Sequence, residues 1–233
     1  MIAVEATRPA PFAEAPVRGR VRLPVSPDGR IRIESAAAVL TAAAVTGGTV
    51  LVRNWDDMAD PDARQVQALV AETGAYVVRS RAGLTVTTRA TGGELVALDA
   101  ALNPRDPLCP FAVVLALRGD GDSRLRGLDP VRARDLVDRM TGFGIAADLS
   151  DGVVTVGPGV PAAAGATWPA GFGLSTGLAG LTLGLIVRGT VIEGCDGLDR
   201  AVPGFLDVWR ALITADEYLL PGSDLLPGDY PCG

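Results

Sequence analysis

Two side-chain types that carry much of enzyme chemistry are missing from this chain. It has no histidine and no lysine, and all 21 basic residues are arginines. That removes at once the Ser-His-Asp triad, imidazole metal ligands, Schiff-base lysines and the lysine of Walker-type phosphate loops. Acid–base chemistry falls to Asp, Glu, Tyr, Cys or water, and every fixed side-chain cation is a guanidinium. The three cysteines, Cys109, Cys195 and Cys232, are widely spaced and odd in number. They match neither a metal pattern nor a disulfide framework, as expected of a protein in a reducing cytoplasm. No cofactor is expected.

The totals narrow the class further. At 233 residues the chain is long enough for one large domain or two small ones. A hydrophobic share of 48% with 21% charged residues describes a globular chain with ample core. The net charge of −6, without a basic stripe, argues against a nucleic-acid partner. The longest apolar run, Leu178 to Val187, is too short to span a bilayer, so no membrane role is expected. Residues 1–16 lack the apolar stretch of a signal peptide and read as a flexible Pro/Ala-rich arm. Residues 215–233, with Pro221, Pro227 and Pro231, read as a Pro-rich tail.

Between the arm and the tail, one plan recurs about every 70 residues. In the first copy, after a strand at Val17–Leu23, Ser35 is the expected N-cap of an Ala-rich apolar helix at 36–45. A strand at Thr49–Arg53, an amphipathic helix at Asp62–Glu72 and a hairpin at Tyr76–Thr88 follow. The second copy expects a strand at Leu95–Leu98, an apolar helix at Pro107–Leu117 and a strand at Arg124–Arg126. An amphipathic helix at Val131–Thr141 and a hairpin over 146–156 complete it. The third expects a helix at Leu174–Val187, a strand at Thr190–Glu193 and a helix at Gly204–Ile213. In each copy the first helix is apolar all round and the second is amphipathic. Three buried inner helices with sheets outside satisfy that pattern. The expected fold is thus α/β: one inverted (inside-out) α/β barrel domain over residues 17–214. Its three helix-strand-helix-strand-strand repeats cover about 31–90, 91–157 and 166–214.

Local segments point to a family. Ser35–Val50 (SAAAVLTAAAVTGGTV) resembles the D-A-S-S-A-x-x-x-L-A-A-A-A-x-x-G-G-T-V segment of the enolpyruvyl transferases. Gly93–Asp106 (GELVALDAALNPRD) resembles their stretch ending M-N-x-x-P-D-A. Arg126–Ala147 resembles R-x-K-E-[TS]-[DE]-R with its following helix, and Ala201–Trp209 (AVPGFLDVW) resembles K-T-F-P-D-[YF]-[WF]. The likeness runs from about residue 17 to 214, and only onto the C-terminal half of an enolpyruvylshikimate-phosphate synthase. A whole enzyme of that family has two such domains with the active site in the cleft between them.

By this resemblance Asp106 falls on the family's catalytic aspartate, and Asp129 on the acid of its Lys-Glu pair, whose lysine is Leu128 here. Arg132 falls on the arginine that grips phosphoenolpyruvate, and Arg200 on a later lysine. The family's Asp-His-Arg falls on Ala170–Gly171–Phe172 and is lost. From the residues themselves, Asp106 reads equally as a helix N-cap before Pro107, and Arg132 as a solvated arginine in a first helical turn. The resemblance implies Asp106 and Asp129 as catalytic residues and Arg132 and Arg200, with the neighbouring Arg105, as substrate-binding. Trp168 and Phe172, in the segment that replaces the lost Asp-His-Arg, are substrate-binding candidates by their aromatic character, which suggests an apolar ligand or a dimer contact in place of an anion. The implied function is that of a truncated, diverged enzyme acting on a small carbocyclic or polyketide-like intermediate. Its acid–base chemistry would be dehydration, isomerisation or cyclisation. Two alternatives stand beside it: a non-catalytic binding or scaffolding domain, and a 3-phosphoshikimate 1-carboxyvinyltransferase needing a partner domain. A homodimer that rebuilds a cleft is the implied partner arrangement.

Overall fold

The computed structural model describes residues 7–9, 16–55, 61–88, 95–161, 167–169, 173–193 and 196–214. Three helices sit at its centre: α1 (Ile33–Thr46), α3 (Cys109–Ala116) and α5 (Leu174–Gly184). Each packs against the other two. Their composition explains why. Every residue of α1 from Ser35 to Val45 is buried, and six of those eleven are alanine, so backbones approach closely with little side-chain entropy lost. The helix ends at Gly47, whose φ of 71° is left-handed, a conformation glycine adopts without a Cβ penalty. Ser35, the expected N-cap, lies instead inside the first turn. The helix begins at Ile33, whose side chain packs on the core.

The strands form three sheets. The first joins β2 (Arg18–Val21), β3 (Thr49–Val52), β4 (Tyr76–Ser80) and β5 (Gly83–Thr87) in the order β2-β3-β5-β4. β2 runs parallel to β3, and the remaining pairs are antiparallel. The second joins β6 (Asp99–Ala101), β7 (Ser123–Arg126), β8 (Ala147–Ser150) and β9 (Val153–Val156) in the corresponding order β6-β7-β9-β8. Here too the first pair is parallel and the rest antiparallel. The third has β10 (Thr167–Pro169) parallel to β11 (Val191–Glu193), with β1 (Thr7–Pro9) antiparallel on the other side of β11. Thr7–Pro9 falls within the segment expected to be a flexible arm, and it is a strand paired to residues 191–193.

Amphipathic helices finish the layers. α2 (Pro61–Glu72) buries Val66, Leu69 and Val70, as its spacing predicts. α4 (Pro130–Gly142) packs on β8 and β9. The short α6 (Asp196–Ala201) leads to α7 (Phe205–Thr214), which buries Phe205, Trp209 and Leu212 and lies against β2. The strand expected at Leu95–Leu98 lies further on, at Asp99–Ala101, and Leu95 makes only an isolated bridge to Gly119. The alternation that decides it is the buried series Leu98, Ala100 and Leu102 with exposed residues between. The helix expected to reach Val187 stops at Gly184.

Candidate functional site

A cavity of about 380 Å3 opens where the start of α3, the inward stripe of α4, β10 and the first turn of α5 meet. Its wall holds Arg105, Asp106, Arg132 and Trp168, four of the residues singled out from the sequence. Asp129 and Arg200 are not on it. The Asp129 Oδ1 accepts hydrogen bonds from the backbone N–H groups of Val131 (3.0 Å) and Arg132 (3.2 Å), which makes it the N-cap of α4. Its contribution is to fix the turn that presents Arg132. Arg200 is an exposed residue of α6. Phe172 lies outside the described residues.

Asp106 is buried and hydrogen-bonded on both oxygens. Oδ1 accepts from Leu108 N at 2.8 Å, and Oδ2 accepts from Asn103 N at 3.1 Å and from Gln65 Nε2. The two backbone bonds close the turn between β6 and α3, and the third ties that turn to α2. The carboxylate thus has the local capping role read from Pro107 and also sits on the cavity wall.

The cations differ in their commitments. Arg105 and Arg132 are exposed, and no ion pair engages either among the described residues. Arg139 is forked onto Asp135 one helical turn away, Nε to Oδ2 at 2.9 Å and Nη2 to Oδ1 at 2.8 Å. Both also line the cavity. The rest of the wall is largely apolar: Leu128, Leu136, Met140, Trp168 and three prolines. Ser175 and Thr176, in the first turn of α5, supply hydroxyls.

Cys109 opens α3 on the same wall. Burial pushes its thiol up to about 12, the Asp106 charge adds to the rise and the Arg132 charge opposes it. It is a protonated, poorly nucleophilic group, not an activated thiolate.

Sequence reasoning missed Asp135, Leu136, Arg139 and Met140. The signal was present, because with Arg132 they fall at i, i+3, i+4, i+7 and i+8 on one helical stripe. A more open groove of about 700 Å3 on the far flank of α4 includes Arg134 with Asp135, Asp138 and Asp151. Its acidic excess suits an anion poorly. Among the described residues no group of three His, Cys, Asp or Glu side chains could hold a metal ion, and no helix is long and apolar enough to cross a membrane.

Both the sequence and the fold have counterparts among known proteins. The sequence model of EPSP synthase (3-phosphoshikimate 1-carboxyvinyltransferase) matches residues 16–209. Among solved structures, the fold resembles the enolpyruvyl transferase NikO from Streptomyces tendae. The TM-score is 0.59 at 17% identity, over 82% of this chain and 47% of that one. It also resembles EPSP synthase from Acinetobacter baumannii, with a TM-score of 0.60 at 20% identity, over 77% of this chain and 45% of that one. The chain therefore spans about half the length of the structures it matches.

Proposed function

The chain belongs to the EPSP synthase family, and from that premise we propose that it binds a small anionic molecule in the cavity between α3, α4 and α5. The carrying observation is the pair of guanidiniums, Arg105 and Arg132, that no ion pair engages among the described residues, on the wall of an otherwise mostly apolar pocket of ligand size. On this reading the two aspartates expected to be catalytic serve structure. Asp129 caps a helix, and Asp106 is held by three N–H donors.

A second reading, conversion of the bound molecule by acid–base chemistry, is favoured by one fact: Asp106 is on the cavity wall. Dehydration, isomerisation or cyclisation of a carbocyclic or polyketide-like intermediate is the chemistry proposed. Full carboxyvinyl transfer is the least favoured, because the positions matching the family's lysines and its Asp-His-Arg carry other residues.

The supporting architecture is a single domain over about 17–214, built of three repeats as one inside-out α/β barrel. The shared strand order of the two four-stranded sheets, and the parallel β10–β11 pair of the third, favour it. A second copy facing the open cavity is the proposed means of closing it.

Thermal denaturation tests this reading, with a panel of acetate, benzoate, inorganic phosphate, phosphoenolpyruvate and shikimate 3-phosphate. At least one anion should raise the Tm of the native chain and not that of an Arg105→Ala/Arg132→Ala variant. A panel with no effect on either protein contradicts the reading. Asp106→Asn separates the two functions, because binding alone survives it and conversion does not.

A further inference from the structure

Resting on that reading, we propose that the ligand is a monocarboxylate borne on an apolar ring, and that dianionic phosphates are disfavoured. Charge balance on the wall carries the argument. Arg105 and Arg132 are uncommitted, Arg139 is neutralised by the forked contact from Asp135, and Asp106 adds a second carboxylate. Three guanidiniums against two carboxylates leave one positive charge, which a single carboxylate balances. A phosphate dianion would leave surplus negative charge beside Asp106. Its oxygens already accept from three N–H donors, and it has no donor to offer.

The remaining surface selects the ring. The Trp168 Nε1 donates to Thr176 O at 2.8 Å, so the indole presents only apolar surface to a ligand. The indole is also wedged in place. Phe143 meets it edge-on with centroids 5.4 Å apart, and a Cβ at Gly180 would lie 2.3 Å from its Cδ1. Leu136 and Met140 extend the apolar wall, and the Ser175 and Thr176 hydroxyls are neutral donors for a carboxylate oxygen. A volume of about 380 Å3 is at the small end of ligand sites, the size for one ring with one acidic group.

Isothermal titration calorimetry on the full chain at pH 7 tests this with benzoate, cyclohexanecarboxylate, acetate, inorganic phosphate and phosphoenolpyruvate. The ring carboxylates should bind about tenfold or more tighter than acetate and than either phosphate compound. Asp135→Asn removes one carboxylate from the cavity wall, together with its fork onto Arg139, and should improve phosphate relative to benzoate by about tenfold. Phosphate or phosphoenolpyruvate binding as tightly as benzoate overturns the monocarboxylate class and leaves the anion site standing. An unchanged phosphate-to-benzoate ratio in Asp135→Asn overturns the charge-balance argument. No heat from any of the five overturns this inference and the reading beneath it.

Discussion

Gln65 and Asp106 stand 41 positions apart in sequence and meet side chain to side chain, the amide of α2 donating to the carboxylate oxygen that also accepts from Asn103 N. This contact joins an outer helix to the turn that carries Arg105. Removing the carboxylate with Asp106→Ala leaves three N–H donors short of a partner, two of them on the backbone. Unfolding in urea should show a loss of about 2–4 kcal/mol. Gln65→Ala removes one donor and should cost about 1 kcal/mol. Because both act on one bond, the double variant should lose less than the sum of the two single losses. Strictly additive losses would show that the contact does not contribute.

Gly180 is small because Trp168 occupies the space a side chain would need. In an open helix, Gly→Ala stabilises by up to about 1 kcal/mol. Here the new Cβ meets the Trp168 ring at 2.3 Å and Ile192 Cδ1 at 2.9 Å. Neither the ring nor the core packing yields cheaply, and overpacking costs about 1–3 kcal/mol. Gly180→Ala should therefore lower the Tm and change the near-ultraviolet circular dichroism as the indole leaves Phe143. A higher Tm with an unchanged aromatic signal would contradict the packing described.

Cys109 makes a pH prediction with a defined sign. An unfolded thiol titrates near its ordinary value of 9.0, whereas the folded one is held up to about 12. Between those values the unfolded state has released its proton and the folded state keeps it, so stability falls as pH rises above 9. By pH 10 the loss from this group is about 1 kcal/mol relative to neutral pH. Cys109→Ala should remove that part of the alkaline decline, whatever it costs at pH 7 by leaving a small void. With Cys195 and Cys232 replaced by serine, the remaining thiol should react with iodoacetamide far more slowly in the folded protein than in urea. Equal rates at pH 8.5 would show that the thiol is not shielded.

Sequence reading went furthest where pattern is local. The Ala-rich helix at 33–46 declares itself through its composition, and the stripe of α2 and the two hairpins through a period of 3.6 or 2. Short elements escaped it. β10 is three residues ending in proline and α6 is six residues, too little for either period to register. The pairing of β1 with β11 joins residues 7–9 to 191–193, a relation no local window contains. At the site, Asp106 and Arg132 hold motif positions and Trp168 stands out by its aromatic character, yet their convergence depends on how α3, α4 and β10 pack. Asp129 shows the opposite limit. A motif position suggested catalysis, while the neighbouring Pro130 and the start of α4 define a helix cap. Gln65 had no signal at all, since its partner lies in another part of the chain.

The central claim is that Arg105 and Arg132 receive an anion in the cavity. The most direct measurement is a 1H–15N spectrum of the arginine Nε–H groups, assigned by substitution and followed during titration with benzoate. The Arg105 and Arg132 resonances should move together and saturate, with Arg188 and Arg210, which are not on the cavity wall, staying in place. Saturable shifts confined to other arginines, or none at any site while benzoate binds, would contradict it.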